Sequence, residues 1–264
     1  MRALIDSHSH LDASEFDADR DEAIARARAA GVLAQVLPAV AAAGWPALHA
    51  LITRQRGLYP AYGLHPVYLE QHTRAHLDDL QHWLDAHPQT VAVGECGLDF
   101  HLPDPDPGLQ RMYLDAQLDI ALQRGLPVIL HARRALDEVL AALRRRPGLR
   151  GVVHSFSGSA QQARQLWDLG FLIGIGGPVT YPRAQRLRGL VARMPVEFLL
   201  LETDSPDQPD SDWRGQRNEP SRLPRIVAEV AALRCADVGH LADTTAANAR
   251  RLFALPDDRA RTCG

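Results

Sequence analysis

The sequence contains no lysine: all 29 basic residues are arginines. Chemistry that needs an ε-amine is excluded, which removes a P-loop, a Schiff base and a kinase-type phosphate lysine. The carboxylated lysine that can bridge two metals is excluded too, so a bridge between ions has to be another side chain. Cysteine is almost as scarce. Cys96, Cys235 and Cys263 are too few and too scattered for a disulfide framework, and no C-x-x-C pair offers zinc or redox chemistry, so they read as free thiols. Long apolar runs are missing. Phe198 to Leu201 is one of the longest and is far too short to cross a bilayer, and the chain does not start on a basic-then-apolar signal peptide. A cytoplasmic protein with no membrane association and no obligate protein partner is expected. A net charge of −3 supplies no global basic field, so phosphate recognition has to be local.

What is present is a chain of 264 residues, 46% hydrophobic and 23% charged, able to bury a large core in one domain. Eight short apolar runs read as strands: Ala3–Ile5, Val32–Val40, Leu58–Tyr62, Thr90–Val93, Leu126–Leu130, Gly151–Val153, Phe171–Ile175 and Phe198–Leu201. Helical segments separate them, including Leu109–Arg124 closed by Gly125 and a final helix Val238–Phe253. Strand and helix in alternation at this length point to parallel βαβ units and an α/β fold, a single-domain (β/α)8 TIM-like barrel over residues 1–256 with a doubly wound open sheet as the alternative, and Asp257–Gly264 as a frayed tail.

The chemistry-bearing residues recur at one end of those strands. His8 and His10 follow strand 1, and side chains at i and i+2 of an extended segment project from one face toward a common point. His65 follows strand 3, Glu95 strand 4, His131 strand 5, His154 strand 6 and Asp204 strand 8. In a barrel these ends form one face, where active sites are built. His72, His76, His82 and His87 stand apart from this pattern and read as solvated surface. Gly176-Gly177-Pro178, after strand 7, carries no ligand and lets a substrate lie against backbone.

Four histidines and two carboxylates around one mouth suit Zn, Mn or similar divalent ions and oversupply a single one. Two ions are expected, with Glu95 as the bridge: one held by His8, His10, Glu95 and Asp204, the other by Glu95, His131 and His154. A metal-bound hydroxide then serves as nucleophile, with Asp204 as general base. Arg133 shares a strand face with His131, and its planar fork suits a phosphate or carboxylate, which favours an anionic substrate.

Six ordered stretches resemble the TatD family of metal-dependent deoxyribonucleases: IDSHSHLD from Ile5, GLHP from Gly63, VGECGLDF from Val93, PVILHARR from Pro127, VVHSFSG from Val152 and LLETDSPD from Leu200. Gly177–Ala184 and Gly215–Pro220 look most like its YjjV-like branch. The resemblance implies a TIM-like barrel with metal at His8, His10, Glu95, His131, His154 and Asp204, a third ion at Glu202, and phosphate contacts from His65 and Arg133. The chain departs from TatD proper at Val67, where a second histidine follows the H-P turn, and at Cys96, which is usually aliphatic and is expected only to pack. The expected function is a divalent-metal (Zn, Mn or Mg) hydrolase of phosphodiester bonds, a 3′-5′ exonuclease on single-stranded DNA. The alternatives are an amidohydrolase-type enzyme on a small cyclic amide, lactone or phosphoester, and a non-catalytic metal-holding protein.

Overall fold

The computed structural model describes residues 3–104 and 106–256. The elements run β1 (Leu4–Asp6), α1 (Arg20–Ala29), β2 (Val32–Pro38), α2 (Trp45–Arg54), β3 (Leu58–Tyr62), α3 (Ala75–Ala86), β4 (Ala92–Asp99), α4 (Pro107–Arg124), β5 (Val128–Arg133) and α5 (Leu136–Arg144). They continue through β6 (Gly151–Val153), α6 (Ala160–Asp168), β7 (Leu172–Ile175), α7 (Gln185–Val191), β8 (Leu199–Leu201), α8 (Leu223–Arg234) and α9 (Val238–Phe253). The expected tail Asp257–Gly264, with Cys263, lies outside the described residues.

All adjacent strands pair in parallel in the order β1 to β8, because each crossover helix returns the chain to the same edge. The barrel nearly closes on itself. Between β8 and β1 the backbone of Ser7 donates to the Leu201 carbonyl at 3.0 Å, and Asp6 accepts from the Thr203 amide at 3.0 Å and from its hydroxyl at 2.6 Å. Beyond them the Asp204 amide donates to the His8 carbonyl at 2.9 Å and the His10 amide to the Ser205 carbonyl at 2.7 Å. These bonds tie the segment carrying His8 and His10 to the segment carrying Asp204.

One buried cluster takes an apolar residue from every strand: Ile5, Val36, Ala61, Ala92, Ile129, Val152, Leu172 and Leu200. α9 adds Ala246, Ala249, Leu252 and Phe253 to it. This is the barrel filling, and it forms a floor above which polar side chains can gather. A larger cluster packs the helices against the outside of the strands and includes Cys96, which is fully buried with its thiol toward the Ile129 carbonyl at 3.9 Å.

Two strands run further than their apolar runs suggest. Glu95 lies inside β4, and His131 and Arg133 lie inside β5, rather than past the strand ends. Apolarity marks only the part of a strand whose inward side chains face the filling, whereas the ladder continues where polar groups turn inward. Between Val93 and Cys96 the register slips: three steps on β4 oppose two on β5, from Val128 to Leu130. One inserted residue reverses the facing of everything after it. Ala92 faces the filling, and strict alternation would then turn Gly94 and Cys96 inward. The slip turns Glu95 inward instead and Cys96 outward.

Candidate metal centre and its cavity

On the unbulged strands the ligand-type residues sit one inward step beyond the filling: His131 two residues after Ile129, His154 after Val152, and Glu202 after Leu200. Glu95 is at the centre and is 2% exposed. Its Oε2 is 3.2 Å from His8 Nε2 and 3.3 Å from His10 Nε2. Its Oε1 is 2.7 Å from His154 Nε2, 3.2 Å from His131 Nδ1 and 3.0 Å from His65 Nε2. Each oxygen therefore faces its own set of imidazoles. Asp204 Oδ1 stands on the Oε2 side, 3.5 Å from His8 Nε2 and 3.8 Å from His10 Nε2. Glu202 Oε1 accepts from the Ser155 amide at 2.5 Å and lies 3.9 Å from His154 Nδ1. The structure thus brings together all seven residues read as metal ligands.

Neighbouring groups decide which ring nitrogen faces the centre. His10 Nδ1 is 3.1 Å from the Pro38 carbonyl, which can only accept, so Nδ1 carries hydrogen and the neutral ring offers a lone pair at Nε2. His131 Nε2 lies 2.9 Å from Asp99 Oδ2, a carboxylate-histidine contact that aims Nδ1 at Glu95. Asp99 is itself held by Gln110, whose amide accepts from the Asp99 backbone at 2.7 Å and donates back at 3.0 Å. His65 has the opposite arrangement: its Nδ1 accepts from the Val67 amide at 3.1 Å, so Nε2 is the N–H. His65 lies within reach of a cluster with Glu95 and His131, but its tautomer makes it a donor rather than a ligand.

Charge at the centre is finely opposed. Burial works against ionising Glu95, but His154, His65 and His8, with the bond from His10, hold it well below the usual carboxylate range. Burial likewise works against charging His10 and His154, yet Glu95 and Asp204 lift them to about 9 and about 10. Glu202 is pushed to about 8, first by burial and then by Asp204 against the pull of His154. Burial also raises Asp204. The carboxylates demand positive charge among the ligand nitrogens, and a divalent ion meets that demand as a proton does. The buried Nδ1 of His154 and Oε2 of Glu202 have no hydrogen-bond partner among the described residues, as expected of a set built around a cation. The donor set fits metal.

A cavity of about 900 Å³ opens above the centre, lined by His10, His65, Glu95, His131, Arg133 and Asp204 among others. Arg133 is exposed on its wall. Gly176 and Pro178 line the cavity, but Gly177 does not offer backbone to a ligand: a Cβ there would meet the Gln208 carbonyl at 2.2 Å, so this chain's own loop occupies that side. His72 corrects the expectation of a solvated surface residue, since it is buried with Nε2 donating to the His65 carbonyl at 2.9 Å. Its α3-side neighbours hid this, because burial depends on where the preceding loop folds back. Three residues of the site escaped the sequence reading. Asp99 could have been found, four residues after Glu95 and hence on the same strand face. Gln208, whose amide donates to the Asp204 carboxylate, and the exposed Tyr68 carry no comparable signal.

The sequence profile described as TatD related DNase matches residues 5–254. The chain is 42% identical to the uncharacterized metal-dependent hydrolase YjjV of Escherichia coli (strain K12), covering 96% of this chain and 98% of that protein. It is 37% identical to the 3'-5' ssDNA/RNA exonuclease TatD of Klebsiella pneumoniae (strain 342), over 96% of this chain and 98% of the other. The crystal structure of the Escherichia coli YjjV protein superposes with a TM-score of 0.92 at 41% identity, covering 96% of this chain and 98% of that one.

Proposed function

The chain belongs to the TatD-related DNase family of metal-dependent hydrolases, and from that premise we propose that it shortens single-stranded nucleic acid from the 3′ end by hydrolysing phosphodiester bonds. Two divalent ions are assigned to the centre, one to His8, His10, Glu95 and Asp204, the other to Glu95, His131 and His154, with Glu202 as the ligand for a third. The observation that carries this reading is Glu95, whose two oxygens face two separate imidazole sets. When bound, such ions polarise a phosphoryl oxygen and bring the pKa of a coordinated water down to about 7.

The protein's own groups supply the rest. Asp204 keeps Oδ1 toward His8, His10 and the cavity while Gln208 donates to Oδ2, which fixes the plane of the carboxylate that would take a proton from the attacking water. The Arg133 guanidinium lines the cavity as a donor for the non-bridging phosphate oxygens, and His65, whose Nε2–H donates to Glu95 Oε1 at 3.0 Å, borders the same space. The scissile phosphate has to descend to a buried carboxylate at the barrel floor. The end of a flexible strand can do so and the interior of a duplex cannot.

Protein stripped with chelator and reloaded with Mg, Mn or Zn should shorten a 5′-labelled single-stranded oligonucleotide stepwise, and Asp204→Asn should abolish this while metal content survives. Hydrolysis of a lactone or dihydropyrimidine with the oligonucleotide left intact would replace the reading with an amidohydrolase-type one. Metal binding with no turnover of either would leave a metal-holding protein.

A further inference from the structure

We propose that the cavity mouth has two unlike halves that fix how the nucleic-acid chain lies: the retained strand crosses the arginine half, and the terminal nucleoside rests on Tyr68 in an acidic half that rejects a further phosphate. This rests on the exonuclease reading and adds the end group that the site selects. Strand order places β1 and β3 across the barrel from β5 and β7, and the loop after β8 runs between the two sides. On the β5 to β7 side stand Arg133, and Arg186, which donates to the carbonyl of the cavity-lining Ser157 at 2.7 Å. On the side formed by the segments after β8, β1 and β3 stand Asp207, Asp12, Glu15, Val67 and Tyr68, all lining the same cavity.

Val67 and Tyr68 are large hydrophobic side chains left 43% and 38% exposed, adjacent at the lip of a deep polar site. Apolar surface left open at that place is expected of a contact for a ligand. The Tyr68 ring meets the His65 ring edge-on at 5.9 Å, within reach of a nucleoside whose phosphate contacts His65. An aromatic face accepts any base, as an enzyme of low sequence preference requires. Burial raises the Tyr68 phenol, and the carboxylates of Glu15, Glu95, Asp207 and Asp12 raise it further.

The arginines nearest those acids are committed elsewhere. Arg20 donates to the carbonyls of Leu11, Asp12 and Ala13 and to the Asp17 carboxylate. Arg217 donates to the Glu15 carbonyl and to the Asp19 carboxylate. A phosphate beyond the terminal sugar would therefore meet Glu15 and Asp207 with the side chains of Arg20 and Arg217 bonded to other acceptors, a repulsion that salt weakens.

The test compares kcat/KM for metal-loaded wild type, Tyr68→Ala, Tyr68→Phe and the double variant Glu15→Gln with Asp207→Asn. The substrates are single-stranded oligonucleotides ending in a 3′-hydroxyl, a 3′-phosphate or an abasic sugar. Wild type should favour the 3′-hydroxyl over the 3′-phosphate end, more strongly at low salt, and the double variant should narrow that gap by about threefold. Wild type should also favour a terminal base over an abasic sugar by about tenfold, a preference kept by Tyr68→Phe and lost by Tyr68→Ala. Shortening that ignores the end group, or preferences the variants leave untouched, would overturn this proposal while the exonuclease reading stands. Failure to shorten any of the oligonucleotides would remove both.

Discussion

The Val67 amide donates to His65 Nδ1 at 3.1 Å and so places the ring's hydrogen on Nε2, 3.0 Å from Glu95 Oε1. A ring held in that tautomer donates to Glu95 and has no lone pair at Nε2 to offer an ion. His65→Gln should therefore keep the metal content of wild type while kcat/KM on single-stranded DNA falls by about ten- to a hundredfold. Elemental analysis beside kinetics decides the matter, since a matching loss of metal would make His65 a ligand.

Asp99 acts through His131. Its Oδ2 sits 2.9 Å from His131 Nε2, and its own backbone is clamped by Gln110. Asp99→Asn should weaken metal binding by about ten- to a hundredfold with the helical signal intact. Competition against a chromophoric chelator measures this, and an unchanged affinity would reduce Asp99 to packing.

The bulge that turns Glu95 inward leans on Gly63, just past the end of the neighbouring β3. A Cβ on Gly63 would lie 2.7 Å from the backbone of Gly94 and 2.8 Å from the Glu95 carbonyl. Gly63→Ala should cost about 1–3 kcal/mol and lower metal stoichiometry together with stability. Gly44→Ala, where nothing lies within 4 Å, serves as the control. Equal melting curves for the two variants would show that the strand has room to move.

Arg26 on α1 binds the Glu219 carboxylate with contacts of 3.1, 3.1 and 2.6 Å, tying the helix to the loop that follows β8. Burial opposes ionising Glu219, but Arg26, Ser221 and Arg217 outweigh it and hold the group below the usual carboxylate range. A depressed folded value means the pair stabilises the fold above the unfolded pKa of about 4.3 and stops doing so as pH falls through the folded value. Glu219→Gln should cost about 1 kcal/mol at pH 7, because Arg26 is partly solvated, and the deficit should shrink as pH drops from about 5 to about 3. Denaturant titrations at several pH values would refute this if the deficit were flat.

Much of this molecule was legible along the chain. The barrel followed from eight apolar runs alternating with helices, and β3, β6 and α9 begin and end at the expected residues, with Gly57 and Gly63 flanking β3 and an Asp237 cap opening α9. The candidate ligands followed from one recurrence, histidine or carboxylate at the same end of strand after strand. Family membership followed from the same stretches. The extents of β4 and β5 did not follow, because hydrophobicity cannot see a ladder that continues beneath inward polar groups.

Residue type, spacing and strand parity by themselves determined the fold class and which side chains compete for the centre, because these are properties of local sequence. Only the tertiary structure decided how those side chains are used. The slipped register sets Glu95 between two imidazole sets, the bonds between β8 and β1 bring Asp204 to His8, and the Val67 amide and Asp99 choose ring nitrogens. Each of these depends on atoms brought together through space, and hydrogen-bond direction and charge balance exist only once those atoms share a few ångströms.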